Sequence, residues 1–393
     1  MRALLLPLLI ASAPVAASTP PRDAGRVTLA PDAEERWIPF EWTPGNQIRF
    51  EMEVDGRPAV AILDTGVSAS ILSRDFAGLD PARVKPDGRA AAIGGTVAVG
   101  WTPTRTLILG PLTRTGGGLS VATLPSAATG GARSVDLLVG ADLLKDHALD
   151  IDGDARRFRL LPSGRLPFTG TTAPLTLSAL RRVYESAVTL NGRRIGPMVV
   201  DTGDGSAVTV TRAEWRAAGM GARPATTALS YGVAGPSVTG LAVAPALSLG
   251  RAVAREVEVR IEEPDGFSRR VGAAGRIGMG LLSRYRVLLD PRAGRMVLRA
   301  GSRADEPAVR STSGLLLGVL PDRLRVLHVM RNGPAAAAGW KEGELICSVD
   351  GAAVGPDHAG TPSARWTAGE PGRTVRLRIC GGEERTLTLR RFY

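Results

Sequence analysis

With three lysines, three histidines, two cysteines and only 4% aromatic residues, the chain lacks the raw material for several kinds of chemistry. His147, His328 and His358 are scattered without metal-ligand spacing, so a zinc site built on imidazoles has no support, and neither a metal nor a cofactor is expected. No Gly-x-Ser-x-Gly elbow marks a serine hydrolase, and no Gly-rich loop runs into a Lys-Ser/Thr pair that could cradle phosphate. Sparse aromatics are a poor platform for stacking bases. The net charge of +11 is carried almost wholly by Arg, since Lys85, Lys145 and Lys341 are the only lysines. That charge is dispersed, often beside Asp or Glu, and reads as a surface bias rather than a nucleic-acid site. Cys347 and Cys380 leave a disulfide and buried free thiols equally open.

Long apolar runs are also missing. The one candidate, Ala3 to Ile10, follows Arg2 and precedes the small residues Val15-Ala16-Ala17. It is too short for a bilayer core of about 30 Å, but it has the order of an export signal. The expectation is a signal peptide over 1–17, a periplasmic or secreted protein, and no integral membrane segment once the signal is removed.

What is abundant is Gly (48) and Pro (28), between short runs rich in Val, Leu and Thr. That mix favours turns and short strands, and a length of 393 residues favours two or three domains. An internal repeat organises them. Pro58 to Leu63, an apolar run entering Asp64-Thr65-Gly66, is matched by Pro197 to Val200 entering Asp201-Thr202-Gly203. Leu138-Val139-Gly140-Ala141-Asp142 is matched by Arg276-Ile277-Gly278-Met279-Gly280, 76 and 77 residues after the respective Asp. Leu149 to Asp152 then aligns with Val287 to Asp290, and Arg157 to Leu160 with Arg295 to Leu298. Short helical stretches are expected at 143–147 and 281–285, and Gly-rich hairpins around Ile93 to Thr96 and Tyr231 to Gly235. The chain reads as a tandem duplication of a mostly-β lobe of roughly 130 residues. The repeat also disposes of a calcium loop at Asp150, Asp152 and Asp154, because the second copy has Leu288, Asp290 and Arg292 there.

An apolar strand ending in Asp-Thr-Gly, answered by an apolar-Gly-helix segment, resembles the catalytic loop of retropepsins and pepsins. The resemblance covers about residues 39–300. It implies two retropepsin-like β-barrel lobes forming a pseudo-dimer, with Asp64 and Asp201 as the catalytic pair of an aspartic endopeptidase. Two carboxyls within about 3 Å cannot both ionise, so one serves as general base and the other as general acid. By the same resemblance, Thr65 and Thr202 interlock the loops, and Gly66 and Gly203 let the backbone close behind the carboxyls. Leu138, Val139, Gly140, Ile277 and Gly278 would buttress them. Gly94, Gly95, Tyr231 and Gly232 would belong to flaps over an extended peptide or protein substrate.

Three positions depart from the pattern. Val67 stands where family members often carry a hydroxyl or Ala, which argues against a very low pKa for the pair. Asp204, its counterpart, raises the pair's pKa values if it points inward; the expectation is that it points outward as a turn or cap residue. Arg276 replaces an apolar residue before Ile277-Gly278.

After a polar linker, Asn332 to Gly351 reads as a short Ala-rich helix, a Gly turn and a strand ending in Asp-Gly. This resembles a PDZ domain, an α+β unit. Leu316, Leu317, Gly318 and Val319 would then form the loop that binds a peptide C-terminal carboxylate, beside a strand edge that accepts the peptide. The expected organisation is thus signal peptide 1–17, linker 18–35, first lobe 36–165, second lobe 166–300, linker 301–312 and PDZ domain 313–393. The competing functional reading is an inactive scaffold of the same fold that binds peptides without cleaving them.

Overall fold

The computed structural model describes residues 24–129, 134–358 and 361–393, so the expected signal peptide and part of the 18–35 linker lie outside the described residues. The fold is mainly β, with four sheets among the described residues. The sequence explains the strands locally. In Ile48–Val54, Ile48, Phe50, Met52 and Val54 face inward while Arg49, Glu51 and Glu53 face outward, the period-2 pattern of a half-buried strand. Asp55 and Gly56, with φ of 51° and 79°, turn the chain into Arg57–Leu63. The second copy repeats the device: Tyr184–Leu190 alternates, and Asn191-Gly192 (φ 48° and 77°) turns into Arg193–Asp201. Two successive residues with positive φ suit the right-handed twist of a tight hairpin, which is why Asp-Gly and Asn-Gly stand there.

The first copy builds an eleven-stranded sheet and the second an eight-stranded sheet. A six-stranded sheet joins them, with strands drawn from both copies. In it His147–Asp152 runs antiparallel to Tyr285–Asp290, and Asp150 faces Leu288, its own counterpart in the repeat. Equivalent residues meeting face to face are what a two-fold relation between copies requires. One apolar core spans both copies, including Leu63, Val139, Val200 and Ile277. Burying each such side chain contributes roughly 1.5–3 kcal/mol. At the joining sheet, fully buried Asp150 binds Arg159 at 2.9 Å and Arg286 at 2.8 Å, so its charge is neutralised from both copies.

Several expectations shift. The short helices are Ala141–Leu144 and Met279–Leu282, starting directly after Gly140 and Gly278, and His147 and Tyr285 already lie in strands. Within the expected linker 18–35, Arg26–Leu29 is a strand paired with Leu112–Thr115. The expected linker 301–312 is docked: Ser302 donates to Asp154, Ala308 N–H donates to Glu256 O, and Arg310 pairs with Glu256.

The C-terminal part has a separate core around Trp340, Trp366, Val375 and Leu389 beneath a six-stranded sheet ordered from Leu315–Val319 at one edge to Glu384–Thr388 at the other. Cys347 and Cys380 form a disulfide across it. This unit seats on the root of the second copy's long hairpin. Thr226 Oγ1 donates to Arg331 O (2.6 Å), and buried His328 lies between Thr227 Oγ1 (2.8 Å) and Glu342 Oε1 (2.7 Å). Among the described residues no helix is long and apolar enough to cross a membrane.

Candidate active site

Both Asp-Thr-Gly triplets sit where a buried strand ends against a parallel neighbour. Leu137–Val139 pairs with Arg57–Leu63, and Asp64 N–H donates to Val139 O at 2.9 Å. Gly275–Gly278 pairs with Arg193–Asp201, setting Asp201 opposite Gly278. The two loops then lock across the copies. Thr65 Oγ1 donates to Val200 O (2.7 Å) and accepts from Thr202 N–H (3.1 Å). Thr202 Oγ1 does the reverse, donating to Leu63 O (2.8 Å) and accepting from Thr65 N–H (3.0 Å). Each hydroxyl thus satisfies one buried carbonyl and one buried amide, groups that would otherwise be costly to bury.

The lock presses each carboxyl against the other copy's glycine. A Cβ on Gly66 would lie 2.4 Å from Asp201 Oδ1, and one on Gly203 would lie 2.3 Å from Asp64 Cγ. Only glycine allows that approach. Gly140 and Gly278 are required for a similar reason: a Cβ would meet Val67 O at 2.9 Å and Ser206 O at 2.3 Å, respectively. The lock thus brings the Asp64 and Asp201 carboxyls close enough to act on each other, and both residues are buried.

No family model matches this chain, and no curated protein matches it. The chemistry of the site therefore stands on its own geometry.

Burial, then repulsion from Asp201, holds the Asp64 carboxyl well above the usual carboxylate range. Burial and the charge of Asp204 push Asp201 up to about 6, against a counteracting pull from Arg276. With both carboxyls held above the usual range, the pair keeps a shared proton to higher pH than free carboxyls would. It then offers a base and an acid side by side.

Asp204 does not point outward as a cap. Its side chain accepts from Ser206 N–H (2.9 Å) and Ser206 Oγ (2.7 Å), while its other oxygen takes Arg276 Nε at 2.9 Å. The outward expectation fails because Arg276, buried at 4% exposure, needs a counter-charge and Asp204 is within its reach. Burial opposes ionisation of Asp204, yet Arg276 and the Ser206 bonds hold it below its usual range. Arg276 also donates to Glu262 Oε1 (2.7 Å) and Ser268 Oγ (3.1 Å). Burial works against its charge, but Asp204, Glu262 and Asp201 more than offset this and keep it ionised. The residue that broke the sequence pattern is thus the centre of a buried charge cluster. Val67 lines the opposite wall, packed near Ile62 and Leu138.

Above the pair, two hairpins meet tip to tip. Ala234 N–H donates to Ile93 O at 3.2 Å, and a Cβ on Gly232 would lie 2.2 Å from that same oxygen. Gly94 (φ 91°) and Gly95 (φ 149°) make the first tip, while Gly232 and half-buried Tyr231 approach the second. The carboxyls and both tips line one cavity of about 1890 Å³. Two residues that pattern reading missed also line it: Asn46 donates to Gly205 O (3.3 Å) and Gln47 to Gly203 O (2.6 Å), tying a first-copy turn to the second catalytic loop. Nothing in the sequence near Asn46 and Gln47 repeats, so no local signal marked them.

The cavity extends to the C-terminal unit. Leu316, Gly318, Val319 and Leu320 border it, and Leu316, Val319 and Leu320 are exposed apolar side chains. Leu316 to Val319 are not in a loop. They lie in the strand Leu315–Val319, whose inner side pairs with Leu324–Val329 and whose outer side ends the sheet. The residues just before it are committed internally: Gly314 N–H donates to Ser311 Oγ and Leu315 N–H to Ser313 Oγ. Among the described residues no group of three or more His, Cys, Asp or Glu could hold a metal ion.

Proposed function

We propose that the protein is an exported aspartic endopeptidase with two retropepsin-like lobes and a PDZ-like C-terminal unit. The observation that carries this reading is the crossed Thr65 and Thr202 lock, which presses the Asp64 and Asp201 loops together and sets both carboxyls on the wall of one large cavity. In such a pair the carboxylate takes a proton from water as its oxygen bonds to the scissile carbonyl carbon, and the carboxylic acid gives its proton to the carbonyl oxygen. The resulting diol collapses as the first group protonates the leaving nitrogen and the second recovers a proton from a hydroxyl. The C–N bond breaks, and the pair returns to its starting charge. The Gly94 and Gly235 hairpins close over the substrate and keep bulk water out.

The wall beside Asp64 carries Val67, Ile71, Val99 and Leu138, which favours an apolar substrate side chain there. The free edge of Leu315–Val319 can add an extended flanking segment of the same substrate by strand pairing. The Cys347–Cys380 disulfide suits an oxidising compartment such as the periplasm or the exterior.

Incubation of the protein, Asp64→Asn and Asp201→Asn with a peptide library from acidic to neutral pH tests the proposal. Cleavage by the parent alone supports it. Cleavage that survives either substitution refutes the mechanism, and peptide retention without cleavage by the parent identifies a non-catalytic binder.

A further inference from the structure

The two halves of the site differ beside the carboxyls. Leu138 and Val67 flank Asp64, whereas Arg276 and Asp204 hold the same repeat positions beside Asp201. Arg276 Nε lies 4.0 Å from Asp201 Oδ2, and among the described residues no cation is seated on the Asp64 side. Backbone donors are uneven as well. Asp201 Oδ1 accepts from Gly203 N–H and Asp204 N–H, both at 3.0 Å, while Asp64 Oδ1 accepts from Gly66 N–H alone at 3.0 Å. An anion prefers the site with the nearer cation and the extra donor.

We propose that Arg276, clamped between Asp204 and Glu262, is a positioning residue that keeps the negative charge on Asp201 and leaves the shared proton on Asp64. Within the endopeptidase reading, on which this rests for its catalytic meaning, Asp201 is the base that activates water and Asp64 is the acid. Every charge around Asp201 takes part. Asp64 faces it from the other loop and Asp204 from its own, and Arg276 approaches from the strand Gly275–Gly278. Behind Arg276 stand Glu262 and the Ser268 hydroxyl, and Arg260, itself paired with Glu258, acts on Asp204. Glu262 accepts from Ser268 N–H at 2.8 Å with its second oxygen, so the clamp is fixed at its far end.

Burial raises both carboxyls; on Asp201, held at about 6, Arg276 pulls downward against a larger push from Asp204, whereas among the described residues no cation counters the rise of Asp64. Asp204 acts against Arg276 on Asp201, so the two residues together set where the acid limb of activity falls.

Carboxyl titration by carbon NMR on aspartate-labelled protein tests the assignment without requiring any activity. Each carboxyl is read alone, Asp201 in Asp64→Asn and Asp64 in Asp201→Asn, so that neither titration is shared. Asp201 should ionise at least about one pH unit below Asp64. In the Asp204→Asn background, Arg276→Gln should remove half of that gap or more, and Arg276→Lys should preserve it. If Arg276→Gln does not fold, Arg276→Gln/Glu262→Gln removes the cation together with its backing carboxylate and must give the same narrowing. The inference is overturned if Asp64 ionises at or below Asp201, or if the gap survives loss of the cation. In a cleavage assay of the otherwise intact pair, Asp204→Asn should move the acid limb of kcat/KM downward, and adding Arg276→Gln should move it back up. Absence of cleavage in the parent would sink the endopeptidase reading while the titration still decides the role of Arg276.

Discussion

Replacing Asp201 with Asn should stabilise the protein at neutral pH, although it removes a group from the centre of the site. Burial and the Asp204 charge raise the folded-state carboxyl from 3.8 to about 6. A group whose folded pKa is raised adds stability only while protonated. Its contribution is complete below the unfolded pKa and is lost as pH rises through the folded value. Between pH 4 and pH 6 the native protein therefore gives up about 2 pKa units of linkage, or about 3 kcal/mol. Asparagine does not titrate and can keep both backbone bonds, because Gly203 N–H and Asp204 N–H donate to the same oxygen. Scanning calorimetry at pH 8 should place the main transition of Asp201→Asn above that of the parent by roughly 6 °C, taking about 2 °C per kcal/mol for a body this large. At pH 3.5 the gain should vanish, and the transition of the C-terminal unit should move at neither pH. A loss of stability at pH 8, or an equal gain at both pH values, would refute the electrostatic account of the pair.

Other perturbations follow from particular contacts. Thr65→Val keeps the shape but strands Val200 O and Thr202 N–H in a fully buried lock. It should cost about 2–4 kcal/mol in urea unfolding, and an unchanged midpoint would mean the lock is not stabilising. Gly203→Ala drives a Cβ into the Asp64 carboxyl; cleavage should fall at least about a hundredfold, as a displacement near 1 Å at reacting groups implies, with circular dichroism unchanged. Reduction of Cys347–Cys380, which closes a separation of 33 residues, should destabilise the C-terminal unit by about 4 kcal/mol. Under dithiothreitol, only the transition of that unit should shift. Val319→Lys on the free edge strand should weaken binding of long substrates, raising KM several-fold with kcat on short peptides unchanged; equal effects on both would argue against a flanking contact there.

The duplicated β framework was legible in the sequence because its signals are local. Strand period and the Asp-Gly and Asn-Gly turns are written within a few residues of where they act. Asp64 with Thr65-Gly66 and Asp201 with Thr202-Gly203 could be paired before any coordinates, since their neighbours repeat along with them. Arg276 looked like a blemish in that repeat because its partners, Asp204, Glu262 and Ser268, are 72, 14 and 8 residues away and carry no shared spacing. The PDZ resemblance makes Leu316 to Val319 a loop, and only their pairing with Leu324–Val329 makes them a strand.

Composition and repeat alone thus determined the mainly-β architecture and which two carboxyls belong together. Only the tertiary structure decided that Asp204 turns inward, that the segment after residue 300 is docked on Asp154 and Glu256, and that Cys347 meets Cys380. It also decided that the two hairpin tips touch and that the cavity runs on to the edge of the C-terminal sheet. The physical reason is the same in each case. A turn or a strand answers to its own neighbours, but the direction of a charged side chain depends on which opposite charge folding brings within 3 Å of it.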